Sequence, residues 1–341
     1  LEYCDEEHAI NVASTIIDTV NDFRFNWEKK TFRLGVSIGM TILNKHSTNA
    51  EDILRQVDSA CFAAKDAGRN CYHIYNEGDK ELKRRHADMN WVVKLEHALE
   101  QDQFILYAQL ISRIKDTENA LPNFEVLIRL QSREGKIIPP GSFLPAAERY
   151  DKIISIDYWV VKNVINLLVS NKSRLQHIGY FSINISSHSI TNNPFLDFLV
   201  DQFTDHPDVA KKICIEITET AAINSMLVAI QSITILRGLG VRFALDDFGS
   251  GLSSFGYLKS LPIDYLKIDG MFVKDIVKDP IDRAMVKAIH EIASLMGKET
   301  VAEFVENDEI LNDLKAIGID YAQGYGVRQP APLIDILGEL K

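Results

Sequence analysis

The sequence predicts an α/β protein: a closed (β/α)8 barrel of the TIM type with its first strand antiparallel, preceded by a smaller, partial α+β domain. Three observations predict it. From Gln103 nearly to the C-terminus, eight short apolar segments alternate with amphipathic helical ones. Those apolar runs are close to continuous, as expected of parallel strands covered on both faces. The length of 341 residues exceeds one average domain and accommodates a barrel of about 250 residues plus a smaller unit.

The leading block reads as helix, strand, strand, helix, strand. "EEHAINVASTIIDTVNDF" has helical apolar spacing, "FRLGVSIGMTIL" is β-rich, "AEDILRQVDSACFAAKDAGRN" is helical again and "CYHIY" closes residues 1–76. Residues 77–100 open with turn formers and become charged and helical, which predicts a linker helix whose "KRR" is a solvated face. The barrel is assigned to 101–341. Its strands are "QFILYAQLIS", "FEVLIRL", "YFSINIS", "KICIEITE", "RFALDDFG", "IDYLKIDG", "ETVAEFVE" and "YAQGYG". The first connection, "RIKDTENALPN", is too short and polar for a crossover helix, so the first two strands are expected to pair antiparallel. A doubly wound open sheet is the rival, and no G-x-G-x-x-G turn follows the first strand to support it.

Composition narrows the chemistry. At 46% hydrophobic and 25% charged the chain has an ordinary globular balance, and its net charge of −11 argues against nucleic-acid polymers or anionic membranes as partners. Cys4, Cys61, Cys71 and Cys214 are scattered without Cys-x-x-Cys spacing, which fits a reducing cytoplasm. No uninterrupted apolar run of membrane-spanning length occurs, and no signal-peptide pattern follows Leu1. Lacking an initiator methionine, the chain is expected to be a piece of a longer protein, whose membrane anchor, if any, lies upstream.

The informative residues are polar ones at the downstream ends of apolar strands. Glu125, Asn184, Glu216, Asp246, Lys267, Asp269, Glu303 and Gln323 each sit at or near such an end, where a barrel gathers its active site. Burying several acids together is costly without a compensating cation. In "RFALDDFGSG", two adjacent carboxylates and two glycines follow a buried strand. Hard oxygen donors of this kind suit Mg²⁺ or Mn²⁺.

"FEVLIRL", "INIS", "EITET", "LDDFGSGLSSFGYLKSLPIDYLKIDG", "AEFVE" and "QGYG" resemble, in order and spacing, the signature stretches of EAL-domain phosphodiesterases, which cleave cyclic di-GMP to linear pGpG. "GVSIGM" and "DSACFAAKDAGRN" resemble the C-terminal half of a GGDEF domain, whose signature hairpin is absent from this chain. The resemblance implies that Glu125, Asn184, Glu216 and Asp246 bind one Mg²⁺ or Mn²⁺, that Asp246 and Asp247 serve a second ion, and that Lys267 is catalytic. It further implies that Arg129 holds a substrate phosphate, that Gln109 and Gln323 line the nucleotide pocket, and that Glu219, Asp269 and Glu306 support the site from behind. The acceptor of the water's proton is left open between Lys267, Glu303 and the metals themselves. A homodimer is expected, with "GLSSFGYL" near its interface.

Three positions depart from the family pattern. Val126 replaces the Ala of E-A-L, Phe304 stands for the Gly between two glutamates, and Leu110 replaces a Pro. Alternation sends Val126 toward the helix layer, whereas Phe304 threatens to displace Glu303 if that glycine needs positive φ. The competing readings are a cyclic di-GMP receptor without turnover, signalling through the linker helix, and an interaction scaffold. The "DFG" of a kinase is excluded because no H-R-D loop or glycine-rich loop accompanies it.

Overall fold

A computed structural model of the chain describes residues 1, 4–27, 30–43, 49–76, 91–115, 120–132, 134–249 and 256–340. The chain divides into two units, Leu1–Val93 and Lys94–Lys341. In the first, α1 (Glu6–Asp22) begins where the Asp5 carboxylate accepts from His8 N at 2.8 Å. The hairpin strands β1 (Arg24–Trp27) and β2 (Lys30–Arg33) follow. Then β3 (Ile38–Met40) pairs in parallel with β4 (Tyr72–Ile74) through the crossover helix α2 (Ala50–Asp66). The β-rich "FRLGVSIGMTIL" holds the end of β2 and all of β3, the two strands expected before the second helix, and β1 is an addition. Four residues of alternation are too few to announce a strand on their own.

Helix α3 covers 91–100, the end of the segment read as a linker; residues 77–90 of that segment lie outside the described residues. The barrel strands are β5 (Phe104–Arg113), β6 (Asn123–Gln131), a short β7 (Ile137–Ile138), β8 (Phe181–Asn184), β9 (Ile213–Thr218), β10 (Arg242–Phe248), β11 (Tyr265–Ile268), β12 (Glu299–Ala302), β13 (Tyr321–Ala322) and a short β14 (Ala331–Pro332). Around the ring they run β5-β6-β8-β9-β10-β11-β12-β13, and β13 returns to β5, closing eight strands. β5 is antiparallel to both neighbours, and the other ring pairs are parallel. The early strand inversion expected from the polar first connection is what the pairing shows. Strands seven and eight are shorter than "ETVAEFVE" and "YAQGYG" suggested, because the backbone leaves the ladder after Ala302 and Ala322.

Outside the ring lie α4 (Leu144–Arg149), α5 (Ile153–Ser170), α6 (Ser187–Ile190), α7 (Asn193–Asp205), α8 (Pro207–Ala210), α9 (Glu219–Asn224), α10 (Met226–Gly238), α11 (Gly270–Val273), α12 (Pro280–Leu295), α13 (Asp308–Ile317) and α14 (Leu333–Glu339). Asp279 and Asn307 cap α12 and α13 by accepting backbone N–H groups, the standard start signal. Among the described residues, α5 alone is long and apolar enough to cross a bilayer. Its apolar stripe is instead buried in the barrel's outer layer through Ile153, Ile156, Val160, Val161 and Val164.

The interior is layered. Ile111, Tyr180, Cys214, Ala244, Tyr265, Val301 and Tyr321 form one buried cluster low in the barrel. Two residues further along five of these strands, the side chains on the same face are Glu216, Asp246, Lys267, Glu303 and Gln323. The two-residue period thus lifts the polar set one layer toward the downstream rim.

Candidate active site

Lys267 occupies the centre of that rim. Fully buried on β11, its Nζ lies 2.7 Å from Glu216 Oε2, 2.8 Å from Glu303 Oε1, 3.1 Å from Asp246 Oδ1 and 3.6 Å from Glu125 Oε2. Each acid arrives on a different strand or strand end. Burial works against the ammonium, but Asp246, Glu125, Glu216 and Glu303 outweigh it and hold Lys267 protonated well above the usual lysine range. Burial likewise lifts Glu216 far above an ordinary glutamate, opposed by Lys267 and reinforced by Glu125 and Asp246. Glu303 is pushed up to about 8 for the same reasons, burial first.

The remaining predicted residues surround this centre. Asn184 ends β8 and donates from Nδ2 to Glu125 Oε1 at 2.6 Å, placing it beside the acids. Gln109, opposite Glu125 in the β5–β6 register, accepts from Gln323 Nε2 at 3.2 Å and donates to Arg328 O at 3.1 Å. Gln323 also donates to Glu125 Oε2, while its own Oε1 is buried without a partner. A cleft of about 470 Å³ opens above, lined among others by Gln109, Glu125, Arg129, Asp246, Asp247 and Glu303. Arg129, two alternations from Glu125 on β6, lies over the Tyr107 ring at 5.5 Å. Asn184 and Glu216 face an adjoining cavity of about 290 Å³ that shares Asp246 and Asp247.

The paired aspartates do not meet because the strand has ended. β10 continues to Phe248, but its register with β11 shifts between Leu245 and Phe248, and Asp247 adopts φ 54°. This irregularity turns consecutive carboxylates toward one mouth, as a bulge re-aims side chains. Oxygens of Asp246, Asp247 and Glu303 lie within 4.8 Å of one another. Burial and then the Asp246 and Asp269 charges push Asp247 above the usual aspartate range. Five carboxylates (Glu125, Glu216, Asp246, Asp247, Glu303) face one ammonium here, so the set fits a divalent cation. All the donors are oxygens, the choice of a hard metal.

Supporting contacts follow the chain outward. Glu219, at the start of α9, accepts from Gly249 N at 3.1 Å and from the Tyr257 hydroxyl. Gly249 has φ 100°, and a Cβ there would stand 2.7 Å from the Phe272 ring, so only glycine fits. Gly251 and most of "GLSSFGYL" lie outside the described residues. Asp269 is turned to a local task, accepting from Met271 N at 2.8 Å to start α11. Glu306 is exposed at the cleft's edge. Phe304 adopts φ 53°, the left-handed conformation that made its glycine replacement a concern. Glu303 nevertheless stays on Lys267, because the Phe304 ring packs where a Cβ on Gly270 would lie and Lys274 Nζ sits 4.2 Å from its centroid. Val126 is buried toward the helix layer, as alternation requires.

One contributor escaped sequence reasoning. Asp157 of α5 is buried, and its Oδ2 accepts from Ser186 N at 3.0 Å, tethering the loop two residues beyond Asn184. Burial pushes its carboxyl up to about 6 against hydrogen bonds from Ser189 and Ser186. The signal available was a single acid amid the apolar stripe of Ile153, Ile156 and Val160.

Comparison with known proteins agrees with this architecture. The EAL domain family model matches residues 92–330, and the model for the diguanylate cyclase GGDEF domain matches residues 1–71. Cyclic di-GMP phosphodiesterase PdeB of Shewanella oneidensis is 40% identical over 302 residues, covering 89% of this chain and 35% of that protein. PdeA of Borreliella burgdorferi is 37% identical over 263 residues, covering 76% and 38%. The chain thus spans about a third of the length of the curated relatives it matches. Among solved structures, the FimX EAL domain from Pseudomonas aeruginosa bound to c-di-GMP has 28% identity and a TM-score of 0.65 over 71% of this chain and 96% of its own. EAL enzyme Bd1971, in its cAMP and cyclic-di-GMP bound form, has 26% identity and a TM-score of 0.70 over 87% and 77%. A match running through all eight barrel strands, rather than through one isolated motif, makes the kinship plain: this chain belongs to the EAL-domain family.

Proposed function

We propose that the chain hydrolyses cyclic di-GMP to linear pGpG with Mg²⁺ or Mn²⁺, two ions being held by Glu125, Asn184, Glu216, Asp246 and Asp247. The observation that carries this reading is the convergence of four carboxylates on the Lys267 ammonium beneath a cleft lined by Arg129 and Gln109. Bound divalent cations supply charge neutralisation and water activation, which an anionic diester otherwise resists. The chain's own groups do the rest. Arg129 offers a planar fork to a phosphate oxygen. The unpartnered Gln323 Oε1 accepts an N–H from a base edge. Lys267, kept protonated by its neighbours, offsets charge developing on the phosphate, and Glu303, which lines the cleft 2.8 Å from Lys267 Nζ, is placed to take the proton of the attacking water.

The named phosphodiesterases among the relatives and the cyclic-di-GMP-bound neighbours support the substrate. A receptor without turnover is disfavoured because every acid of the set is present and gathered. Cysteines without disulfides fit action in a reducing compartment, and we extend the reading to a homodimer. The test is chromatography of purified chain with cyclic di-GMP and Mg²⁺, alongside binding with Ca²⁺ substituted. Glu125→Ala lowers pGpG formation by more than about 100-fold, since a lost oxygen ligand disturbs cation placement itself. Binding without product by the wild type refutes the enzyme; neither binding nor product refutes both readings.

A further inference from the structure

The barrel's opposite mouth, where parallel strands begin, holds a second cavity of about 410 Å³, lined by Arg113, Asn123, Tyr180, Arg242, Tyr265 and Tyr321. This volume lies within the range of small-molecule sites. Arg242 opens β10 and Asp246 lies four residues on, so the cavity is about 13 Å from the acids, at 3.3 Å per strand residue.

Its polar lining is made of donors. Arg113 is committed: its guanidinium pairs with Glu299 at 2.6 Å and lies 5.1 Å over Tyr321. Arg242 has no carboxylate partner among the described residues; it lies 5.7 Å over Tyr180 and reaches only Gly179 O, at 3.5 Å. The nearby Asp264 is already taken by Arg237 at 2.5 Å and Phe243 N at 2.9 Å. Asn123 accepts from Tyr180 N through Oδ1, which leaves its amide N–H groups without a partner among the described residues. The Tyr180 and Tyr265 side chains line the cavity, and their hydroxyls make no hydrogen bond among the described residues. Lys212, whose Nζ donates to Ile178 O at 2.6 Å, is lowered first by burial and then by the nearby Arg242 charge, so a second cation stands close to Arg242. These hydroxyl and amide donors open onto the cavity beside a guanidinium with no carboxylate partner among the described residues, so an anion entering it meets them without displacing a protein acceptor.

We propose that this lower mouth binds a small anion, its carboxylate or phosphate group held by Arg242, Asn123 and the Tyr180 and Tyr265 hydroxyls. Such a group accepts from every donor in the set, and a guanidinium is the cation best shaped for it.

The test uses the full chain carrying 3-fluorotyrosine, in EDTA, titrated separately with inorganic phosphate and with benzoate while ¹⁹F resonances are followed. Tyr180→Phe and Tyr265→Phe assign the two signals. The expected result is a saturable shift of those signals by at least one probe, and the better probe names the source of the anionic group. Arg242→Gln weakens that binding by at least about tenfold, the loss of one charged hydrogen-bond partner. Arg129→Gln, in the other cleft, leaves it unchanged. Arg242→Lys keeps the charge and retains part of the affinity, and it stands in if the glutamine variant does not fold. The proposal is overturned if neither probe gives a saturable shift, or if the shift survives Arg242→Gln.

Discussion

Asp157→Asn tests whether the tether behind Asn184 is an acid kept at an electrostatic cost. In the folded barrel the Asp157 carboxyl is raised from 3.8 to about 6, chiefly by burial. A raised carboxyl binds its proton more tightly folded than unfolded. Its contribution is therefore fully present below pH 3.8 and is lost as pH rises through about 6. At about 1.4 kcal/mol per pH unit, that gap costs the barrel about 3 kcal/mol at neutral pH. An asparagine carries no charge, and its side-chain oxygen can still accept from Ser186 N. Denaturant unfolding of wild type and variant, followed from pH 4 to 8, should give a difference that grows in the variant's favour up to about pH 6.5 and then levels. Parallel curves across the range would show that Asp157 is not held against its charge, and the account of the tether would fail.

Gly249→Ala forces a side chain into a left-handed backbone against the Phe272 ring. It should destabilise the barrel by about 1–3 kcal/mol in unfolding and lower turnover, because the Glu219 contact behind Asp247 is disturbed. Unchanged activity would dissociate this turn from the paired acids. Phe304→Gly relieves positive φ but removes ring packing on Gly270 and the Lys274 contact, opposing effects of about 1–2 kcal/mol each; net stability should move by less than about 1 kcal/mol, read by thermal unfolding. Lys267→Met strands the Glu216, Glu303, Asp246 and Glu125 carboxylates together. In EDTA this variant should lose about 3–5 kcal/mol at pH 8 and recover as pH falls and the acids protonate. Cys214, fully buried with its thiol raised by burial, should resist iodoacetamide in the folded chain while Cys61 and Cys71 are alkylated first, as mass spectrometry can follow.

The chain's own pattern carried the fold a long way. Eight apolar runs, their spacing and the polar "RIKDTENALPN" connection announced a closed ring with one inverted strand, because strand periodicity and connection length are local properties. The acids at strand ends were legible for the same reason. What the tertiary structure alone decided was how they meet. Lys267 became the hub through the closing of distant strands, and Asp246 and Asp247 turned together through a register shift set by pairing with β11. Asp157 acquired its task only when α5 packed behind β8, and the donor-lined lower mouth exists only because Asn123, Tyr180 and Arg242, far apart in sequence, stand at the starts of β6, β8 and β10 at one end of the ring. Periodicity fixes which face a side chain takes; only ring closure and packing fix what stands opposite it.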